Sequence, residues 1–201
     1  PIGIYAKDYD NNGSVDPILS CYDEGKNYPV FSKDDIQQQL TILKNRFVKY
    51  NEYAGLTLDQ VFTPKELEGA KVLYAKNFET SYIENLGNGQ FKISALPKES
   101  QFSPIHGLSS GDFNQDGNLD VLLGGNFTAS RVKFGHYDAI KGVCFLGDGS
   151  GQFSYLDASE SGLMVSGEVR DIQKITSPNG EEYFVFSRNN NTPKIYKQQL
   201  N

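Results

Sequence analysis

The chain has 201 residues, enough for one substantial core or for a few repeat units. A hydrophobic share of 38% and a charged share of 22% belong to a chain that folds, not to a disordered one. Net charge is −6 with 19 Lys and Arg scattered singly, which excludes a nucleic-acid footprint, and no stretch nears the ~20 apolar residues of a membrane span.

In chain order, residues 1–31 hold an acidic loop, a strand at 17–22, a turn through Asp23-Glu24-Gly25-Lys26-Asn27 and a second strand at 28–31. The character changes at Ser32, where Ser32-x-x-Asp35 resembles a capping box. Ile36, Leu40, Leu43 and Phe47 then fall on one helical face, so an amphipathic helix over 34–50 is expected, packed on a sheet. The polar run Gln37-Gln38-Gln39 reads as its solvated side. Thr57–Phe62 suggests a short helical turn, and Thr63-Pro64-Lys65-Glu66 is a second helix start, with Pro at the first helical position.

Period-two patterning returns at 72–75 and 80–85, followed by the Gly87-Asn88-Gly89 turn and a strand at 91–93. Residues 97–107 read as a connector. Beyond it come a second acidic loop, a strand at 121–123, a strand around 131–134, and a hairpin from 143–146 to 152–156. The last segment has strand-like runs at 169–175, 183–187 and 193–198, and a polar end, Lys197-Gln198-Gln199-Leu200-Asn201.

The two acidic loops carry the chemistry. Asp112-Phe113-Asn114-Gln115-Asp116-Gly117-Asn118-Leu119-Asp120 has a near-copy at Asp8-Tyr9-Asp10-Asn11-Asn12-Gly13-Ser14-Val15-Asp16. Both place oxygen side chains at loop positions one, three, five and nine and glycine at six, the arrangement by which alternate oxygens converge on a hard cation. The side chains of Asp8, Asp10, Asn12 and Asp16, and of Asp112, Asn114, Asp116 and Asp120, are the expected ligands, joined by the backbone carbonyls of Ser14 and Asn118. An EF-hand would carry Glu at position twelve, whereas Leu19 and Leu123 stand there inside apolar runs. Asp, Asn and Gly also make ordinary turns. Two copies in one register, each running into a strand, favour calcium over that simpler account.

The pattern D-x-[DN]-x-[DN]-G-x-x-D entering a strand resembles the calcium loop of FG-GAP/VCBS repeats, which build integrin α-subunit-like β-propellers and many secreted bacterial proteins. Ser109-Ser110-Gly111 ahead of the second loop is similar to the lead-in of those repeats. Phe145-Leu146-Gly147-Asp148-Gly149-Ser150-Gly151-Gln152-Phe153 and Asn85-Leu86-Gly87-Asn88-Gly89-Gln90-Phe91 resemble their later hairpin. Gln90-Phe91 recurs about 62 residues on, and the acidic loops lie about 104 apart, or a similar period once a helical insertion of about 40 residues is removed.

The expected fold is therefore mainly β: a partial β-propeller of about three four-stranded antiparallel blades with an inserted helical segment. Residues 1–97 would form one blade with the insertion at 32–70, 98–158 a second, and 159–201 a shorter third without a calcium loop. The resemblance implies two structural calcium ions and an extracytoplasmic binding, adhesion or scaffold module for a protein or glycan ligand. Its rival is a part of a larger secreted hydrolase or lyase. Three blades cannot close a ring that typically takes four to eight, so the chain, which starts at Pro1 without Met, reads as the C-terminal piece of a longer propeller. Its exposed blade face would then meet the remaining blades, self-associate, or depend on the insertion helix to cover it.

Nothing selects a catalytic set. His106 and His136 are the two histidines, and no ligand or triad spacing joins them. Asp157, Glu160 and Glu168 could pair for glycoside hydrolysis, but no spacing singles them out. Cys21 and Cys144 read as buried thiols in equivalent strand positions in preference to a disulfide. Asn126-Phe127-Thr128 and Asn190-Asn191-Thr192 fit the glycosylation sequon, and the glycine-rich turns lack the Gly-Lys-Ser/Thr ending of a phosphate loop.

Overall fold

A computed structural model describes residues 1–198, so the last three residues of the polar end lie outside the described residues. The chain is mainly β, with four antiparallel sheets and few helices, and no sheet among the described residues closes on itself. It divides into two compact units, Pro1–Phe78 and the part from Glu79 onward. No helix among the described residues is long and apolar enough to cross a membrane.

The first unit is a four-stranded sheet with a helical cover. Strands β1 (Ile2–Lys7), β2 (Asp16–Asp23), β3 (Lys26–Pro29) and β4 (Lys71–Ala75) lie in the order β3-β2-β1-β4. Glu24 and Gly25 form the two-residue β2–β3 turn, both at positive φ, which suits the twist of a tight hairpin. β1 has no counterpart among the strands expected from sequence.

The insertion separates β3 from β4 and is not one helix. Helix α1 (Lys33–Gln39) starts on the expected capping box, with Ser32 and Asp35 bonding reciprocally. It ends at Leu40, whose φ of −118° and ψ of 89° leave the helical region, and a 3₁₀ turn Thr41–Asn45 follows. The expectation of a helix over 34–50 is thus corrected to one short helix and tighter turns. Ile36, Leu40, Leu43 and Phe47 are nevertheless all buried, clustered with Ile18 of β2 and with Tyr53, Leu58, Val61 and Phe62. Helices α2 (Leu58–Val61) and α3 (Pro64–Leu67) complete the cover, the latter on the Thr63/Glu66 capping box with Pro at its first turn. Burial, not continuous helix, holds the segment together.

The second unit begins with a hairpin of β5 (Ser81–Gly87) and β6 (Gln90–Ala95), which forms a sheet by itself. Residues 1–97 accordingly do not make one sheet: β4, not this hairpin, completes the sheet of β1. Strands β7 (Ile105–Gly111), β8 (Asp120–Gly125), β9 (Val143–Gly147) and β10 (Phe153–Leu156) form a simple meander. Part of the expected connector is therefore strand. The run 131–134, expected extended, is a 3₁₀ turn, Val132–Phe134, ending at Gly135 with φ 70°.

A short helix α4 (Ala158–Ser161) leads to β11 (Val169–Thr176), β12 (Glu182–Arg188) and β13 (Lys194–Lys197), a three-stranded sheet. Leu122 and Cys144 pack against Val169, Ile172, Phe184 and Phe186 across the two sheets. The approach is close because Gly107 and Gly124 are glycines: a Cβ on Gly124 would stand 2.7 Å from Val169 Cγ1, and one on Gly107 3.0 Å from Ile172 Cγ1. Cys21 and Cys144 are both free thiols, and they occupy non-equivalent strands, the first and second after their respective loops.

Candidate metal-binding loops

Each acidic loop joins the first strand of its sheet to the next, β1 to β2 and β7 to β8. Their bonds from backbone N–H groups to side-chain oxygens match atom for atom. In the first, Asn12 N–H and Gly13 N–H donate to the two oxygens of Asp8 at 3.1 and 2.8 Å. In the second, Asp116 N–H and Gly117 N–H donate to those of Asp112 at 3.1 and 2.9 Å. Ser14 N–H reaches Asn12 Oδ1, and Asn118 N–H reaches Asp116 Oδ1, both at 2.8 Å. Gly13 and Gly117 both have φ 88°, and Asn11 and Gln115, two residues earlier, also lie at positive φ. The sixth-position glycine is thus required by conformation.

These donors place positive dipole ends against the carboxylates. Gly13 N–H, above all, holds the Asp8 carboxyl below its ordinary pKa, and Asn118 N–H does the same for Asp116. Both groups keep their charge to low pH, as a cation ligand must.

The loops differ in how far their carboxylates converge. In the first, one oxygen from each of Asp8, Asp10 and Asp16 lies within 4.8 Å of the others. Two oxygens on one calcium ion can be no farther apart than twice the metal–oxygen distance, about 5 Å. All three donors are hard oxygens, so the residues fit the ion. The second loop carries Asn114 at position three, and its amide donates to Asp116 Oδ2 at 2.9 Å.

Asp120, fully buried, has both oxygens engaged: Oδ2 accepts from Phe113 N–H at 2.7 Å and Oδ1 from Gly147 N–H at 2.9 Å. Asp16 accepts from Tyr9 N–H at 3.0 Å, and among the described residues it makes no second bond of that kind. The ninth-position Asp is therefore partly a clamp. In the second loop it also ties in the end of β9, where a Cβ on Gly147 would stand 2.2 Å from the carbonyl oxygen of Leu119.

Sequence reasoning missed the residue at position two. Tyr9 packs on Phe62 with ring centroids 5.2 Å apart, and Phe113 packs edge-on against Phe184 at 5.3 Å. An aromatic following the first Asp thus anchors each loop to its unit's core. Its recurrence in both copies was the available signal.

The other candidates stay apart. His106 and His136 are exposed. Asp157 caps α4 through Ser159 N–H at 2.8 Å. Glu168 is buried and accepts from Thr128, Arg170 and Asn189. The Thr128 hydroxyl first, then Asn189, holds its carboxyl at about 2, so it carries its charge at neutral pH. Asn126 of the first sequon is 1% exposed, with its amide donating to the carbonyls of Ile140 and Gly167, so it is a structural clip.

No protein-family description, curated protein or solved structure matches the chain.

Proposed function

We propose that the chain is a calcium-binding module of FG-GAP/VCBS type, a partial β-propeller serving binding, adhesion or scaffolding outside the cytoplasm. The observation that carries this reading is the first loop, where Asp8, Asp10 and Asp16 bring oxygens within 4.8 Å on a backbone already turned for a cation. The matched bond pattern of the second loop supports a second ion held by Asp112, Asn114, Asp116 and Asp120, with less carboxylate convergence. The face-to-face sheets joined at Gly107 and Gly124 are what stacked blades require. Calcium here is structural: it neutralises carboxylates that otherwise repel one another and pins the β1–β2 and β7–β8 connections. A loop lacking the twelfth-position Glu suits the weak affinities of extracellular modules, about 10⁻⁴–10⁻³ M. Calorimetric titration with calcium tests the reading. Two sites are expected, the tighter lost in Asp10→Ala, and absence of any calcium heat overturns it.

A further inference from the structure

One end of the first sheet carries a cluster that the calcium reading does not use. Setting Asp8 on Asp112 and Asp16 on Asp120 matches Gly3 with Gly107 and Ser20 with Gly124. In the second unit that pair of positions is a seat for the next sheet, filled by Val169 and Ile172. Among the described residues of the first unit itself, no further strand enters. A Cβ on Gly3 would instead meet Ser20 Oγ at 2.8 Å and the rings of Tyr74 and Tyr5 at 3.2 and 3.4 Å.

Tyr5, Tyr22, Tyr74, Ser20 and Asn27 all share this face by register. Tyr5 and Tyr74 hydroxyls lie 3.4 Å apart, and Asn27 Nδ2 donates to the Tyr5 hydroxyl at 3.2 Å. Tyr22 and Tyr74 are 42% and 46% exposed, so the rim is open to solvent. Beneath it Ser20 is fully buried, and neither its Oγ nor Asn27 Oδ1 has a hydrogen-bond partner. Buried polar atoms normally have one. The seat is therefore built of aromatic faces around unused polar atoms, which is the composition of a ligand site.

We propose that this tyrosine-lined seat binds a neutral saccharide. Phenol rings pack against the apolar C–H face of a pyranose, and sugar hydroxyls supply the donor that Asn27 Oδ1 lacks and a partner for Ser20 Oγ. Tyr74, on edge strand β4 and 46% exposed, is the ring that swings aside to admit it. A quaternary ammonium would use the rings but leave both polar atoms unpaired, with Lys76 close enough to act on Tyr74. A proline-rich peptide offers carbonyls and few donors. An apolar strand, the occupant in the second unit, finds its place taken by Tyr5 and Tyr74.

The test titrates the full chain with cellohexaose and maltohexaose, two neutral hexasaccharides of different linkage, following tyrosine fluorescence. Saturable quenching by at least one, unchanged by added salt, is expected. Tyr22→Ala with Tyr74→Ala should weaken it at least about tenfold. Ser20→Ala should weaken binding while leaving the melting temperature unchanged or raised, because it removes an unpartnered buried hydroxyl. The proposal is overturned by no saturable response to either sugar up to ~10 mM, by a response that survives the double substitution, or by saturation with polyproline or tetramethylammonium instead. A Ser20→Ala chain that melts lower but binds normally also overturns the role given to Ser20. Calcium heats are untouched by these outcomes, so the two proposals fail separately.

Discussion

Gln37 offers the sharpest check on how the insertion is held. Sequence gives Gln37, Gln38 and Gln39 one status, a solvated face, yet Gln37 is 8% exposed and works as a staple. Its Nε2 donates to the carbonyls of Leu43 and Phe47 at 3.1 and 2.7 Å, and its Oε1 accepts from Lys33 Nζ at 3.0 Å. Leu43 O also accepts from Arg46 and Phe47 N–H, so Gln37→Leu weakens that carbonyl's bonding without orphaning it. Phe47 O loses its staple, which costs about 1–3 kcal/mol, and the lost bonds to Leu43 O and from Lys33 Nζ add about 1 each. The sum is about 3–5 kcal/mol, while Gln38→Leu at an exposed site should stay within about 0.5. Urea unfolding followed by circular dichroism measures both. Stabilities of the two variants within about 0.5 kcal/mol of each other would refute the staple.

Saturating calcium at about one hundred times Kd should add about 2.7 kcal/mol per site and raise the melting temperature by several degrees over chelator. Equal melting curves would refute structural calcium, and Asp116→Ala should remove most of the second loop's share. Leu43→Pro removes the Leu43 N–H bond to Leu40 O at 3.1 Å at the one buried residue of an otherwise exposed turn and should cost about 3 kcal/mol or more. The bidentate Arg46 partner holds the Glu66 carboxyl at about 2, as Thr128 does for Glu168. Folded values below unfolded ones mean that their stabilisation is full above about pH 4.5 and is lost as pH falls through about 2. The urea midpoint should drop across that window, and Glu66→Gln should flatten the drop; a midpoint independent of pH there contradicts the assignment.

What the sequence made legible was local and periodic. The loops could be read because their conformation is written in single residues, Gly13 and Gly117 at positive φ and oxygens at alternate positions. Caps at Ser32 and Thr63 were legible for the same reason. The burial of Ile36, Leu40, Leu43 and Phe47 followed from spacing, but spacing does not fix helix length. Leu40 leaves the helical region while the stripe continues, since a 3₁₀ turn can present Leu43 to the same core. Strand pairing lay out of reach because it depends on contacts across the insertion. β4 joins β1 after a gap of more than sixty residues, with Ile2 opposite Ala75, and no local pattern distinguishes that partner from the hairpin at 81–95. The double engagement of Asp120 was hidden likewise, since Gly147 is distant in sequence.

The two sheets that carry acidic loops are finished in different ways, and this bears on the open-face expectation. Leu122, in the second sheet, is buried by the strands of a third sheet. Its counterpart Ile18 is buried as completely by the insertion, under Ile36, Leu40 and Val61. Each loop's aromatic then joins whichever cover is present, Tyr9 reaching Phe62 and Phe113 reaching Phe184. In the strand-covered sheet Val169 comes down on Gly124, whereas the contacts at Gly3 come from its own sheet. Ser20 stands where the strand-covered sheet has Gly124, while Gly3 keeps the glycine of Gly107 and has the Tyr5 and Tyr74 rings against it. The insertion thus does more than fill space: by replacing a neighbouring sheet over Ile18, it frees the far end of the same face for a polar, aromatic surface that close sheet packing would forbid.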